Sequence, residues 1–420
     1  MLQFCIFEIY KGAIMKVLVP KYIITCDDDF KILQDYAIIF DKHIQKIIPL
    51  KELSISSNDE LISVPNYVAM PALINAHTHL EFCTNRARLK YGDFVPWLSS
   101  VIGQKKVLLK KLNRGAVRRA LKSMLESGVG TVGEISSFGE DLDVLAKSEA
   151  RTVFFAEILG PKQEDIEKNW SSFLARYKEA KTCASELFKP AISVHSPYST
   201  HPELLERATR LAKSENVLMS THFLESKAEK VWLEDASGDF KKWLSSFSHE
   251  PKPYYTPKSF LAAFDKDKTL FAHCLYAKEY FEDIKHIAHC PRSNRLLDGF
   301  TLDIKNASKY ANIALGTDGM SSNYSLNIWD EMRAALFTHR SDINNLTKDL
   351  FMMATRGGAK ALHLNNGIIK EGAPADIAVA ILPKGSDGKQ LPLDIILHSS
   401  LVSHLFVNGQ SVNLHKEPKE

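Results

Sequence analysis

The chain has 420 residues, 45% apolar and 25% charged, a length that exceeds one ordinary core and predicts two or three domains or one large barrel with a satellite. Its 53 Lys plus Arg against 50 Asp plus Glu leave a net charge of +3, which gives no support to nucleic-acid or membrane-surface binding. Cys5, Cys26, Cys83, Cys183, Cys274 and Cys290 form no Cys-x-x-Cys pair and do not cluster as a disulfide framework does, so a reducing cytoplasm is expected.

The N-terminal MLQFCIFEIYKGAIMKVL lacks a basic n-region and a small-residue cleavage site, so it does not read as a signal peptide. Met15 stands directly before β-rich sequence, and the first fourteen residues read as an upstream extension. Residues 15–68 hold short β-like runs, VLVPKYIITC, YAIIF, HIQKIIP and LISVP. Residues 367–413 return to that style with GIIKEGAPADIAVAIL and HLFVNGQSV, where Asn408-Gly409 signals a hairpin. The two ends, 1–68 and 367–420, are predicted to pair into one small β-sandwich around a central domain, 69–366.

That central region alternates strand and helix. Eight apolar runs stand out: YVAMPALINAHTH, GVGTVGEISS, RTVFFAEILG, PAISVHSPYST, NVLMSTHFLES, TLFAHCLYA, HIAHCPRSN and NIALGTDG. One intervening helix, HPELLERATRLAKSEN, puts Leu204, Leu205, Ala208 and Leu211 on one face, with Thr200 and Glu203 spaced as a capping box. The pattern predicts an α/β protein with a (β/α)8 TIM-type barrel. A doubly wound open sheet is the alternative, but no Gly-x-Gly-x-x-Gly follows the first strand. Residues 80–128 and 227–268 are long connections on the C-terminal face, where barrel active sites are built.

Ionisable residues gather at the strand tips. The first strand ends in MPALINAHTHLEF, and strand side chains two apart share a face, so His77 and His79 project together. Two imidazoles on one face are either a chelate for a divalent metal or a hydrogen-bonded polar pair. His195, His222 and His273 mark the fourth, fifth and sixth strands, and Asp318 the eighth. Five of fifteen histidines thus sit at tips that a barrel brings to one mouth.

This order, His-x-His, then His222, His273 and Asp318, resembles the amidohydrolase superfamily, and the resemblance runs from the first sandwich strands to GIIKEGAPADIAVAIL. It implies metal ligation by His77, His79, His222 and Asp318. Binuclear members add a carboxylated lysine on the fourth strand; AISVHSPYST has none, so one divalent ion per chain is expected, zinc or iron. Glu225, three residues after His222, matches the deaminase pattern and would protonate a purine ring nitrogen. His273 and Asp318 would orient the attacking water and take its proton. His195 in VHSPYST is similar to the substrate-contacting histidine of methylthioadenosine and S-adenosylhomocysteine deaminases. Glu81, Trp97 and Ser137 are placed with it as substrate-binding residues. The cytidine-deaminase signature, His-x-Glu with Pro-Cys-x-x-Cys, is absent.

HTHLEF, YGDFVPWLSSVI and HCPRSNRLLDG further resemble aminodeoxyfutalosine deaminases of menaquinone biosynthesis. Their substrate is an adenine nucleoside carrying a benzoate. Tyr91, Phe94 and Trp97 would wall the purine and aryl rings, or pack helix on barrel. Arg292 or Arg295 would grip the carboxylate, unless an ion pair with Asp298 holds them. The alternatives are a methylthioadenosine, S-adenosylhomocysteine or adenosine deaminase, a chlorohydrolase, or a non-catalytic relative. The expected partner is a small nucleoside, with neither nucleic acid nor membrane, and the sequence is compatible with a homo-oligomer.

Overall fold

In the computed structural model, which describes residues 14–85 and 87–414, the eight apolar runs become parallel strands. They are Leu73–His79, Val129–Ser136, Arg151–Ile158, Phe188–Val194, Met219–Phe223, Thr269–His273, His286–His289 and Asn312–Leu315. Each pairs with the next in chain order. After Leu315 the chain continues into Asp318–Gly319, which pairs with Thr78 and His79 of the first strand, so the sheet closes on itself. Gly316 makes that turn passable: a Cβ there would lie 2.9 Å from both Cβ and O of His77. The barrel interior is filled by small and branched side chains, among them Ile74, Ala76, Ile135, Val153, Ala272 and Ala314. Ala359 and Leu362 close the N-terminal end, leaving the opposite mouth for chemistry.

The helix after the fourth strand, Pro202–Glu215, buries Leu204, Leu205 and Ala208. Its cap differs from the expected box. Pro202 occupies the first turn and His201 is the N-cap, its ring accepting from the Glu203 N–H at 3.2 Å. Proline at N1 fixes the helix start one residue later than Thr200 would. Glu203 pairs with Arg207 instead.

Both described ends form one eight-stranded sheet. Its main path runs Gln410–Ser411, His404–Val407, Ile377–Ile381, Glu60–Pro71, Lys16–Ile24, Tyr36–Phe40, Ile44–Pro49. Three strands separate Phe406 from Phe40 along that order, yet their rings meet at 5.2 Å. The sheet therefore curls over its own core, giving sandwich-like packing around Leu18, Ile38, Phe40, Ile377 and Phe406. Asn408 and Gly409 form the hairpin turn with φ of 53° and 73°. The strand from the sandwich runs on to Pro71, past residue 68, before the first barrel strand begins at Leu73. Of the presumed extension, residues 1–13 lie outside the described residues.

The two long connections carry helices Phe94–Lys111 and Arg114–Glu126, and Lys227–Asp235, Gly238–Leu244 and Pro257–Leu261. They meet over the mouth: the Phe94 ring lies 6.0 Å from Phe240 and 6.3 Å from Tyr198. Phe94 is 1% exposed, so of the three aromatics considered for a ligand wall it is a packing residue.

Candidate metal centre and active site

His77, His79, His222 and Asp318 converge, with one ligand atom from each inside a 4.8 Å cluster. His79 Nε2 lies 3.3 Å from His222 Nε2 and 3.4 Å from Asp318 Oδ1, and His77 Nε2 lies 3.9 Å from the same oxygen. Neither ring nitrogen of His77 has a hydrogen-bond partner, and His79 Nδ1 also lacks one. Buried imidazoles left this way are costly unless something else takes their lone pairs, and four N/O donors at these spacings fit a divalent cation. Burial, reinforced by neighbouring imidazoles, pushes the His77 and His222 pKa values well down. Burial also lowers that of His79. All three are therefore neutral, the form that ligates metal.

The residues around this cluster fix its geometry. His222 Nδ1–H donates to the His195 carbonyl at 2.8 Å, aiming Nε2 inward. Asp318 Oδ2 accepts from Ser293 at 2.7 Å and from Ser322 at 2.5 Å, and Oδ1 accepts from the Gly319 N–H at 2.7 Å. Burial opposes its ionisation, but His79, His273, His77 and the Ser322 bond prevail and hold the carboxyl well below the usual range. Leu224, His273, Cys274 and Asp318 all have φ between 46° and 69°. Left-handed backbone at four non-glycine tips is strain that the surrounding packing sustains.

Glu225 is 4% exposed, with Oε1 3.4 Å from His273 Nε2. Burial pushes its carboxyl pKa well up, and the charges of Asp318 and Glu229 add to the effect. Its turn is pinned by Glu229, which accepts from the Leu224 and Glu225 N–H groups at 3.0 and 2.9 Å. His273 is neutral, its pKa lowered chiefly by burial.

A chain of buried bonds sets the tautomer of His273. Asn294 Oδ1 accepts from His273 Nδ1–H at 2.8 Å, so Asn294 Nδ2 donates to His289 Nδ1 at 3.4 Å. His289 then carries its proton on Nε2 and donates it to His339 Nε2 at 3.0 Å. The lone pair of His273 Nε2 is thereby kept for the site. His289→Leu, which removes the acceptor for Asn294, is expected to lower kcat about 10-fold with KM and metal content unchanged. His289→Asn, whose Oδ1 replaces Nδ1, is expected to restore most of it; steady-state kinetics with metal analysis compares the two.

The other expected binding residues divide. His195 and Ser137 lie at the mouth. Trp97 is half-buried and donates Nε1–H to the Ser321 carbonyl at 2.8 Å, three residues beyond Asp318. Glu81 is corrected: it is fully buried, and its carboxylate accepts from the N–H groups of Ser137, Phe138 and Glu140 at 2.7–2.8 Å. It clamps a loop and is not free for substrate. Arg292 is corrected as well. Nε bonds Glu331, Nη1 bonds Ser325 and Asp330, and Nη2 bonds the Ser325 and Asn327 carbonyls, so all five N–H groups are taken. Asp298 pairs with the Tyr276 hydroxyl, not with an arginine. Arg292→Met is expected to cost about 3–5 kcal/mol, because it strands buried Glu331. Exposed Arg295→Met is expected to cost under about 0.5 kcal/mol. Urea denaturation reads both.

Glu157, Ser293, Ser322, Asn294 and His289 were not singled out by the sequence reading. A signal existed for two of them: Glu157 and His289 end the third and seventh strands in FFAEI and HIAH, the same position the other site residues occupy.

Residues 68–412 match the amidohydrolase family. The chain is 38% identical over 406 residues to the aminodeoxyfutalosine deaminase of Nitratiruptor sp., covering 94% of this chain and 99% of that one. It is 35% identical to an adenosine deaminase of Helicobacter pylori, with 94% and 99% covered. The crystal structure of Helicobacter pylori aminofutalosine deaminase in complex with methylthio-coformycin matches with a TM-score of 0.88 at 35% identity, covering 95% of this chain and 100% of that one. A zinc-bound adenosine deaminase from Xanthomonas campestris shares the fold at 19% identity and a TM-score of 0.77, with 96% and 94% covered. The closed parallel barrel, the convergent cluster of three histidines and an aspartate, and these likenesses agree: this chain belongs to the amidohydrolase family.

Proposed function

We propose that the chain hydrolytically deaminates an adenine-containing nucleoside, with aminodeoxyfutalosine as substrate and futalosine and ammonia as products. The observation that carries this reading is the placement of buried Glu225, its carboxyl pKa raised by burial, 3.4 Å from His273 Nε2 at the edge of the His and Asp cluster. His77, His79, His222 and Asp318 would hold one zinc or iron ion. When bound, such an ion supplies Lewis-acid chemistry, bringing the pKa of water toward neutrality.

The chain's own residues do the rest. Glu225 donates its proton to the ring nitrogen next to the amino-bearing carbon, which makes that carbon electrophilic. His273 Nε2 and Asp318 Oδ1 accept protons from the attacking water. A C–O bond forms at the carbon and the C–N bond to the amino group breaks; one accepted proton passes to the departing amine, which leaves as ammonia, and the other returns to Glu225 and restores its acid form. The roof of Phe94, Tyr198 and Phe240 excludes bulk water and strengthens each of these interactions.

With Arg292 engaged elsewhere, Arg295 is the guanidinium in that motif left to meet a benzoate carboxylate. The likeness to the Nitratiruptor deaminase supports the acidic substrate over adenosine or methylthioadenosine. No helix among the described residues is long and apolar enough to cross a membrane. Among the described residues, free thiols at Cys26, Cys183, Cys274 and Cys290 suit a reducing cytoplasm. The test is ammonia release from aminodeoxyfutalosine, methylthioadenosine, S-adenosylhomocysteine and adenosine. Aminodeoxyfutalosine is expected to give the highest kcat/KM. Preference for a neutral nucleoside overturns the substrate, and no release from any of them overturns the reaction.

A further inference from the structure

The third and fourth barrel strands bring a second group of polar atoms to the mouth, beside the ligand cluster. Glu157, near the end of Arg151–Ile158, is 1% exposed. Ser137 donates its hydroxyl to Glu157 Oε2 at 2.5 Å, while Oε1 has no partner. The arrangement is held from behind, because Glu81 takes the Ser137 N–H at 2.7 Å. Next to it, His195 Nδ1 lies 2.6 Å from Ser199 Oγ and 3.0 Å from Ser196 Oγ. Its Nε2 hydrogen-bonds no described residue. A carboxylate oxygen of Glu157 and a ring nitrogen each from His195 and His222 fall within 4.8 Å of one another.

Two kinds of ligand suit such a group, a second cation or a polar substrate atom. His222 argues against the cation. Its Nδ1–H is committed to the His195 carbonyl, and its Nε2 faces His79 Nε2 at 3.3 Å. One ring nitrogen does not serve two cations, which leaves only Glu157 and His195, too few to hold a metal. A hydroxyl fits both remaining atoms at once: it donates to a carboxylate and accepts from an imidazole N–H. Adenine ring nitrogens only accept in this role, and the amino group departs on the Glu225 and His273 side. The groups of an adenine nucleoside that both donate and accept are its ribose hydroxyls.

We propose that Glu157 and His195 bind a ribose hydroxyl of the substrate, with Glu157 as a specificity-determining residue; this rests on the deaminase reading above. An analogue without the hydroxyl leaves the buried carboxylate oxygen unpaired, which is how polar sites reject such analogues strongly.

The experiment measures kcat/KM on adenosine, 2′-deoxyadenosine, 3′-deoxyadenosine and 2′,3′-dideoxyadenosine for wild type, Glu157→Gln and Ser137→Ala, with metal content determined for each. Wild type is expected to favour adenosine over the dideoxy analogue about 100-fold. Glu157→Gln is expected to lose about 10-fold or more on adenosine but under about threefold on the dideoxy analogue, with metal unchanged. If Glu157→Gln does not fold, Ser137→Ala, which releases the carboxylate from its aim, is expected to show the same differential. Equal losses on both substrates, or a wild type indifferent to the hydroxyls, overturn the proposal. Loss of metal from Glu157→Gln overturns it too, by making Glu157 a ligand. A wild type that deaminates none of these nor aminodeoxyfutalosine brings down the deaminase reading and the hydroxyl contact with it, whereas deamination without hydroxyl discrimination brings down the contact alone.

Discussion

Glu225→Gln is expected to keep fold and metal but lose about 10²–10⁴-fold in kcat. Glutamine preserves the shape beside His273 and removes the transferable proton. The pH dependence carries the same signature. Burial raises the Glu225 pKa well above the ordinary 4.5, so the protonated, proton-donating form persists above the ordinary carboxyl range and is lost as pH rises through the raised value. Wild-type kcat/KM should therefore fall on an alkaline limb that is missing from Glu225→Gln. Stability follows with the sign of a raised carboxyl. The folded chain retains a proton that the unfolded chain has released, so wild type is destabilised as pH rises above about 4.5. Glu225→Gln does not titrate and should melt no lower than wild type at neutral pH. A variant within threefold of wild-type kcat would remove Glu225 from the chemistry; pH-rate profiles and melting curves on the two proteins decide it.

The reach of the sequence ended where strand periodicity ended. His77 and His79 were legible because a strand alternates faces, and the alternation holds through His79. Leu80–Phe82 is then a single 3-10 turn, so Glu81 no longer shares the histidine face and points to loop 137–140. The Leu80 N–H donates to Glu134 at 2.7 Å, a contact that sets this turn and that has no local signature. Arg292 failed for a different reason. Its partners Ser325, Asp330 and Glu331 come from the segment after the eighth strand, so the sequence around HCPRSN cannot reveal that its donors are spent. The same motif does carry site function, through Ser293 on Asp318 and Asn294 on His273. His222 and Asp318 were legible by the strand-tip rule, and Glu157 would have been had it been applied to the third strand.

His77→Ala is expected to abolish metal binding and to reduce turnover to background. His77 is fully buried, and its two unpartnered nitrogens make it the ligand with least alternative employment. Three donors would remain, and the alanine leaves a cavity between them. Wild type should carry close to one metal equivalent per chain by elemental analysis, and metal-loaded protein should be more stable than stripped protein, by about 2.7 kcal/mol at free metal near 100 times Kd. Protons compete for the same imidazoles, but burial holds the His77, His79 and His222 pKa values below the ordinary 6.5. The neutral, ligating forms therefore persist below pH 6.5, and metal should be retained there and released only at stronger acidity. Dialysis at stepped pH, followed by metal analysis, reads the release. Two equivalents in wild type, or full metal retention by His77→Ala, would contradict the four-ligand centre. Release centred at the ordinary histidine pKa would show that the ligands are solvated rather than buried at the barrel mouth.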